Sequence, residues 1–195
     1  GIAMRNFAIL IAVLCLLPIT DCAASAQSIG TTETATAESA VKKSADVKKR
    51  VAKDNAEMQT KDPSMPTRII RNGTKVNIHF GDTVLTGVLN DSKTAQALIK
   101  MLPYTVHMNA YSHDFCGVMP DELPYNDEEV HYGWLNGDID YAIDAPYFTI
   151  LHSDEENSEQ YGDQVNIGVL TCKLSEIRKL SGSFDVTIEL AEQRP

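Results

Sequence analysis

His107, His113, Asp114 and Cys116 gather within ten residues of one another. Imidazole, thiolate and carboxylate are the ligand types of zinc. Their spacing follows no zinc motif, and His107 falls on the polar side of a strand-like run whose other side carries Val106 and Met108. Surface or loop histidines are the plainer assignment. Asp138, Asp140 and Asp144 invite a calcium reading. A calcium loop of the D-x-[DN]-x-[DN]-G type needs its third ligand where this chain has Ala142. The alternation with Ile139, Tyr141 and Ile143 instead places these acids on the polar face of a strand. Ser112, His113 and Asp114 are the residue types of a hydrolytic triad, but adjacent positions do not reach that geometry. Neither a G-x-S-x-G elbow nor a phosphate-binding glycine loop occurs. The reading therefore assigns no catalytic residue, no metal and no cofactor.

Aromatic residues offer a different chemistry. Tyr125, Tyr132, Trp134, Tyr141, Tyr147 and Phe148 concentrate in the second half of the chain. Tyr125, Tyr132, Trp134 and Tyr147 are the candidate ligand-binding residues, lining a cleft that takes a small molecule or a peptide. Ordinary core packing is the competing explanation for each.

The elements that must carry these residues are mostly short strands. Val76, Ile78 and Phe80 alternate with Asn77 and His79, and Gly81-Asp82 then leads into Thr83–Leu89, which is a hairpin pattern. Phe184, Val186, Ile188 and Leu190 alternate with polar residues. Tyr104–Met108, Gly137–Ile143, Tyr147–His152 and Val165–Thr171 complete a count of at least seven. A helix is predicted from Asp91 or Ser92 to the stop at Pro103, with Ala95, Leu98, Ile99 and Leu102 as its apolar stripe. A second runs over Leu174–Leu180, with Ser175 as a candidate cap. The expected fold class is mainly β: a barrel of about seven to eight strands with two short helices over its ends. Asn109–Gly133 reads as a long loop, and Ser153–Asp163 as a second, polar one.

The N-terminal third has another character. Arg5 precedes the apolar run Phe7–Leu17, and Ala24-Ser25-Ala26 offers a small-x-small cleavage site, so residues 1–26 read as a signal peptide. The run is shorter than the ~20 apolar residues of a membrane span. Lipidation at Cys22 is the alternative processing, although Asp21 before it fits poorly, and an uncleaved signal is a further route to a membrane tether. Each places the mature protein outside the cytoplasm. Residues 27–66 contain no aromatic side chain and read as a disordered tether with a basic patch at Lys42, Lys43, Lys48, Lys49, Arg50 and Lys53. Residues 67–195 form the domain, with 20 acidic and 9 basic residues and so a net charge of −11. That charge excludes nucleic acid as a partner of the domain, because phosphates would be repelled. An oxidising compartment permits a disulfide between Cys116 and Cys172, and buried free thiols are the other option.

Several segments taken together carry a resemblance. They are the hairpin, then Asn90-Asp91 with Thr94, Ala95 and Leu98, then Met101-Leu102-Pro103, Leu123-Pro124, Gly137-Asp138-Ile139 and finally Ile167-Gly168. In this order they resemble the cyclophilin-like proteins of bacteria, often secreted and often without an assigned activity. The resemblance covers roughly 68–190 and implies a closed or nearly closed β-barrel. It does not extend to the prolyl isomerases of that fold. Those use an arginine beside an apolar proline pocket, and no arginine lies between Asn72 and Lys173. A binding domain for a small molecule or peptide is the expected function, and an isomerase with altered chemistry is the alternative.

Overall fold

The computed structural model describes residues 49–192. Nine strands form one antiparallel sheet: β1 (Thr74–Phe80), β2 (Thr83–Leu89), β3 (Tyr104–Ala110), β4 (Asp114–Val118), β5 (Val130–His131), β6 (Asp138–Ala142), β7 (Tyr147–Leu151), β8 (Gln164–Leu170) and β9 (Ser183–Leu190). Their order, β2-β1-β9-β3-β4-β7-β6-β8, closes on itself because β8 also pairs with β2. Eight strands thus make a barrel, and β5 lies against β8 beside the ring. Closure leaves the barrel strands without free edges. The expected mainly β barrel is present, with β5 in addition.

The β1–β2 hairpin turns at Gly81, whose φ of +58° suits a residue without Cβ. Phe80 pairs with Thr83, so only two residues form the loop. Side chains of one parity then fill the barrel. Ile78, Leu85, Ile139, Ile150, Ile167, Val186 and Ile188 are fully buried there, each stabilising the fold by roughly 1.5–3 kcal/mol relative to an exposed side chain. Phe80 meets Phe115 edge-on at 5.0 Å and Phe184 at 5.6 Å.

Two α-helices are present among the described residues. In α1 (Lys93–Ile99) the Ser92 Oγ accepts from the Ala95 N–H at 3.1 Å, the expected cap. Ala95 and Leu98 are buried, whereas Ile99 and Leu102 are only partly covered. The helix stops at Ile99, earlier than Pro103 requires. The second helix, α2 (Leu174–Arg178), starts after Lys173 and not at the Ser175 cap the sequence suggested. Its Leu174 and Ile177 must be buried, and Leu174 N–H is taken by the Ser64 carbonyl.

Three expectations need correction. The loop expected over Asn109–Gly133 contains β4, a 3-10 turn at Asp127–Glu129 and β5. β4 escaped notice because its hydropathy alternation is broken: Phe115 and Gly117 face inward and are buried, while Val118 faces out and is 55% exposed. Only glycine fits at 117, since a Cβ there would lie 2.1 Å from the His107 carbonyl oxygen. The second polar loop likewise holds a 3-10 helix, Glu155–Gln160. Finally, residues 49–66, expected within the tether, pack on the barrel. Val51 bridges to Tyr132, Met58 bridges to Arg68, and Ala52 is buried. Lys49 and Lys53 reach Glu159, which explains how so basic a segment finds a place on an acidic domain. The expected signal peptide, Cys22 and residues 27–48 of the tether lie outside the described residues.

Candidate functional site

Ile139 and Tyr141 point into the barrel, so Asp138 and Asp140 project from its outer surface. That surface is not wet. Both carboxylates are fully buried, and residues 49–73, here termed the strap, reach this face through Arg68. Pro66 seats on Gly137, whose φ is +100° and where a Cβ would lie 2.4 Å from the proline ring. Thr67 N–H donates to the Asn136 carbonyl at 2.9 Å, fixing the next residue, Arg68, over β6.

Arg68 meets Asp138 through two hydrogen bonds, Nε to Oδ1 at 2.8 Å and Nη2 to Oδ2 at 2.9 Å. The Leu135 N–H gives Asp138 Oδ2 a third donor at 2.9 Å. Burial works against the Arg68 charge, but the contact with Asp138 more than offsets it and raises the guanidinium pKa. Asp140 is less well served. Its Oδ1 accepts from Asn166 Nδ2 at 2.9 Å, and its Oδ2 has no partner. Burial holds the Asp140 carboxyl well above the ordinary carboxylate range, and the Asp138 charge adds to this, with Arg68 and Asn166 opposing. His131 on β5 completes the cluster. Its Nε2 is buried without a partner, and burial lowers its pKa despite nearby Asp138.

The same strap forms one wall of a groove. A cleft of about 330 Å³ lies between Met65, Pro66 and Ile69 of the strap and Val88, Val169 and Leu170 of the barrel. A neighbouring cavity of about 540 Å³ continues past Ile70, Val88 and Thr171 to Lys75, Asn77 and Thr86. The walls are mainly aliphatic, with Gln59, Asp62 and Arg68 supplying polar groups at one end. Such a mixture suits an apolar ligand oriented by a few hydrogen bonds.

The aromatic candidates lie elsewhere and do not converge on this groove. Trp134 is buried, stacked against His113 at 4.9 Å and Tyr161 at 5.6 Å. Its Nε1 donates to the Ser153 carbonyl, so its surfaces are committed to packing. Tyr132 carries Lys49 Nζ 3.6 Å above its ring and borders a separate cavity with Asp127 and Asp163. Tyr125 and Tyr147 are each 37% exposed, on the segment before the Asp127–Glu129 turn and at the start of β7. Among the described residues no three His, Cys, Asp or Glu side chains converge as metal ligands would. His107 instead pairs with Asp185 at 2.9 Å on the exposed side of β3, and His113 packs on Trp134. Cys116 and Cys172 are free thiols. Burial pushes them up to about 12 and about 11, respectively.

Arg68, Met65, Ile69 and Ile70 were missed by the sequence reading. They fall at its tether–domain boundary, where no periodicity marks them. The buried acids had one signal that was legible, two aspartates within a single strand pattern otherwise made of Ile and Tyr.

Comparison with known proteins adds the family. The family model described as the Cyclophilin-like family matches residues 78–189, more than half of the chain. The chain belongs to the cyclophilin-like family. No curated protein matches it. Among solved structures, the chain is similar to a hypothetical protein from Archaeoglobus fulgidus determined in solution, at 15% identity and a TM-score of 0.47. That similarity covers 63% of this chain and 100% of the archaeal one. The matched region starts within β1 and ends within β9, so it takes in the barrel and omits the strap.

Proposed function

We propose that this cyclophilin-like domain is a non-catalytic binding module outside the cytoplasm, taking an apolar small molecule or a short peptide segment in the strap groove. The observation that carries the reading is the groove itself. It is the place where aliphatic side chains from strap, β2 and β8 face a common space beside a few polar groups. The site thus differs from the aromatic cleft expected from the sequence.

The state of the arginines supports binding over proline isomerisation. Each arginine among the described residues already has an acceptor in the chain: Arg50 on Asp127 and Val130 carbonyls, Arg68 on Asp138, Arg71 on Glu57 and Arg178 on the His152 carbonyl. A guanidinium committed in this way is not poised beside a proline pocket. The domain's negative charge also argues for neutral or cationic ligands over nucleic acid. The location rests on the apolar run Phe7–Leu17 and the Ala24-Ser25-Ala26 site, with a Cys22 lipid or an uncleaved signal as the membrane-tethered forms.

Titration with Nile red, an uncharged dye that brightens in apolar surroundings, tests the groove. Enhanced fluorescence is expected with the native chain and a marked loss with Thr171→Trp, which places an indole where the two cavities join. Equal enhancement in both proteins would reject the site. A proline-peptide isomerisation assay is expected to run at the uncatalysed rate, and acceleration by the protein would favour the enzymatic alternative. Intact mass of the mature chain distinguishes a Gln27 N-terminus from an acylated Cys22.

A further inference from the structure

The dipeptide Asn-Gly occurs twice in the chain, as Asn72-Gly73 and as Asn136-Gly137. In this dipeptide the asparagine amide is open to attack by the next backbone nitrogen, because glycine has no Cβ to obstruct the approach and lets the peptide turn freely. The tertiary structure treats the two pairs in opposite ways.

Asn136-Gly137 is held on every side. The Gly137 N–H, the nucleophile such an attack needs, donates to the Leu151 carbonyl at 2.6 Å. The Gly137 carbonyl accepts from the Leu170 N–H, and the Asn136 carbonyl accepts from the Thr67 N–H. The Asn136 N–H donates to Glu155 Oε2 at 2.6 Å. Rotating this peptide breaks bonds to β7, β8 and the strap, and leaves their polar groups unpaired.

Asn72-Gly73 lies where the strap enters β1. Asn72 is exposed and has a φ of +58°, a left-handed conformation that asparagine tolerates. Among the described residues, Ile70, Arg71, Asn72 and Gly73 make no backbone hydrogen bond. Rotation here therefore breaks none of them. Glycine is nonetheless required at 73, since a Cβ there would lie 2.4 Å from the Leu89 carbonyl oxygen and 2.4 Å from Val88 Cγ2. Packing thus keeps the reactive dipeptide in place.

We propose that Asn72 is a deamidation site, converted in the folded protein while Asn136 is spared. The Gly73 nitrogen gives up its proton and bonds to Asn72 Cγ. The Cγ–Nδ2 bond breaks and ammonia leaves, which closes a cyclic imide. Water then opens the ring at either carbonyl and yields aspartate or isoaspartate, with nothing oxidised or reduced. Asn72 borders the cavity of about 540 Å³ that Lys75 and Asn77 also line, so the product adds a carboxylate to a wall that carries a lysine. Isoaspartate also inserts a methylene into the main chain directly ahead of β1. The modification proceeds whether or not the groove is occupied.

Peptide mapping after incubation of the full folded chain in mildly alkaline buffer tests this, with isoaspartyl methyltransferase labelling to mark the rearranged product. The Asn72 peptide should gain the amide-to-acid mass increment and the label at least roughly tenfold faster than the Asn136 peptide, whose glycine N–H is freed only by local opening. In guanidinium chloride the two rates should converge, because the folded structure alone distinguishes the sites. Equal rates in the folded chain, or an Asn136 that reacts first, would overturn the proposal. So would an Asn72 that stays intact in the folded chain over a period in which it reacts in denaturant. Asn72→Gln, which would have to close a larger ring, should remove the fast step. A fast step that persists in that variant would also overturn the assignment.

Discussion

Arg68 and Asp138 are joined side-on across the strap–barrel junction, with Nε 2.8 Å from Oδ1 and Nη2 2.9 Å from Oδ2. The two residues are seventy positions apart, and Asp138 has no exposed side-chain surface. Removing one partner strands a buried charge, which costs about 3–5 kcal/mol in comparable pairs. Arg68→Met is therefore expected to lower unfolding free energy by that amount in a urea titration. The double variant Arg68→Met, Asp138→Asn should recover most of the loss, because no charge is then left unpaired.

Asp140 gives a stability trend of its own. Its native pKa is raised by burial, so its contribution is fully present below the unfolded carboxylate pKa of ~3.9. The contribution is lost as pH rises towards the native pKa, because the unfolded chain releases a proton that the native state retains. Asp140→Asn should be more stable than the native chain at pH 7, on the order of 1–3 kcal/mol. The gap should vanish below pH ~4. Thermal unfolding across pH 3–8 checks the trend, and a gap that persists in acid would contradict it.

His152 acts in the opposite sense. Burial, with Arg178 and His113 beside it, lowers its pKa to about 4. A depressed histidine contributes stability that is present above its unfolded pKa of ~6.5 and is lost as pH falls through the native value. His152→Gln should flatten the acid limb of the stability curve between pH 6.5 and about 4. With partial solvent screening the difference should reach about 1–2 kcal/mol.

The thiols provide a chemical check. Cys116 and Cys172 are unpaired, and burial raises both. The thiolate is the reactive form, so both should react slowly with a disulfide reagent in the native protein and quickly in denaturant. Peptide mapping without reductant should recover them as separate, alkylatable residues. A Cys116–Cys172 linked peptide would contradict the structure.

Gly117 shows why local pattern and tertiary structure part company. A strand normally turns its apolar residues inward, and β4 turns in a glycine because the His107 carbonyl crosses that position. Gly117→Ala should cost at least about 1–3 kcal/mol through forced backbone movement. Circular dichroism melts would register it as a lower midpoint. No local reading of Asp-Phe-Cys-Gly-Val contains the neighbour that imposes this constraint.

Elements whose information is local were legible in the sequence by itself. The Gly81 turn, the Ser92 cap and the alternation of β1, β2 and β9 depend on side-chain period and backbone conformation a few residues apart. Their order also sufficed for the barrel and the family. The fate of the polar side chains depended on contacts at long range. Asp138 and Asp140 carry the alternation of a wet strand face, and only the tertiary structure buries both and brings Arg68, from seventy residues upstream, to one and Asn166 of β8 to the other. Trp134 and Tyr132 announce aromatic surface, but the tertiary fold commits one to a stack and the other to Lys49. The groove has no sequence signature because its walls come from three segments, each apolar for its own local reason. Periodicity determines which side of an element is apolar; only tertiary packing decides what lies against the other side.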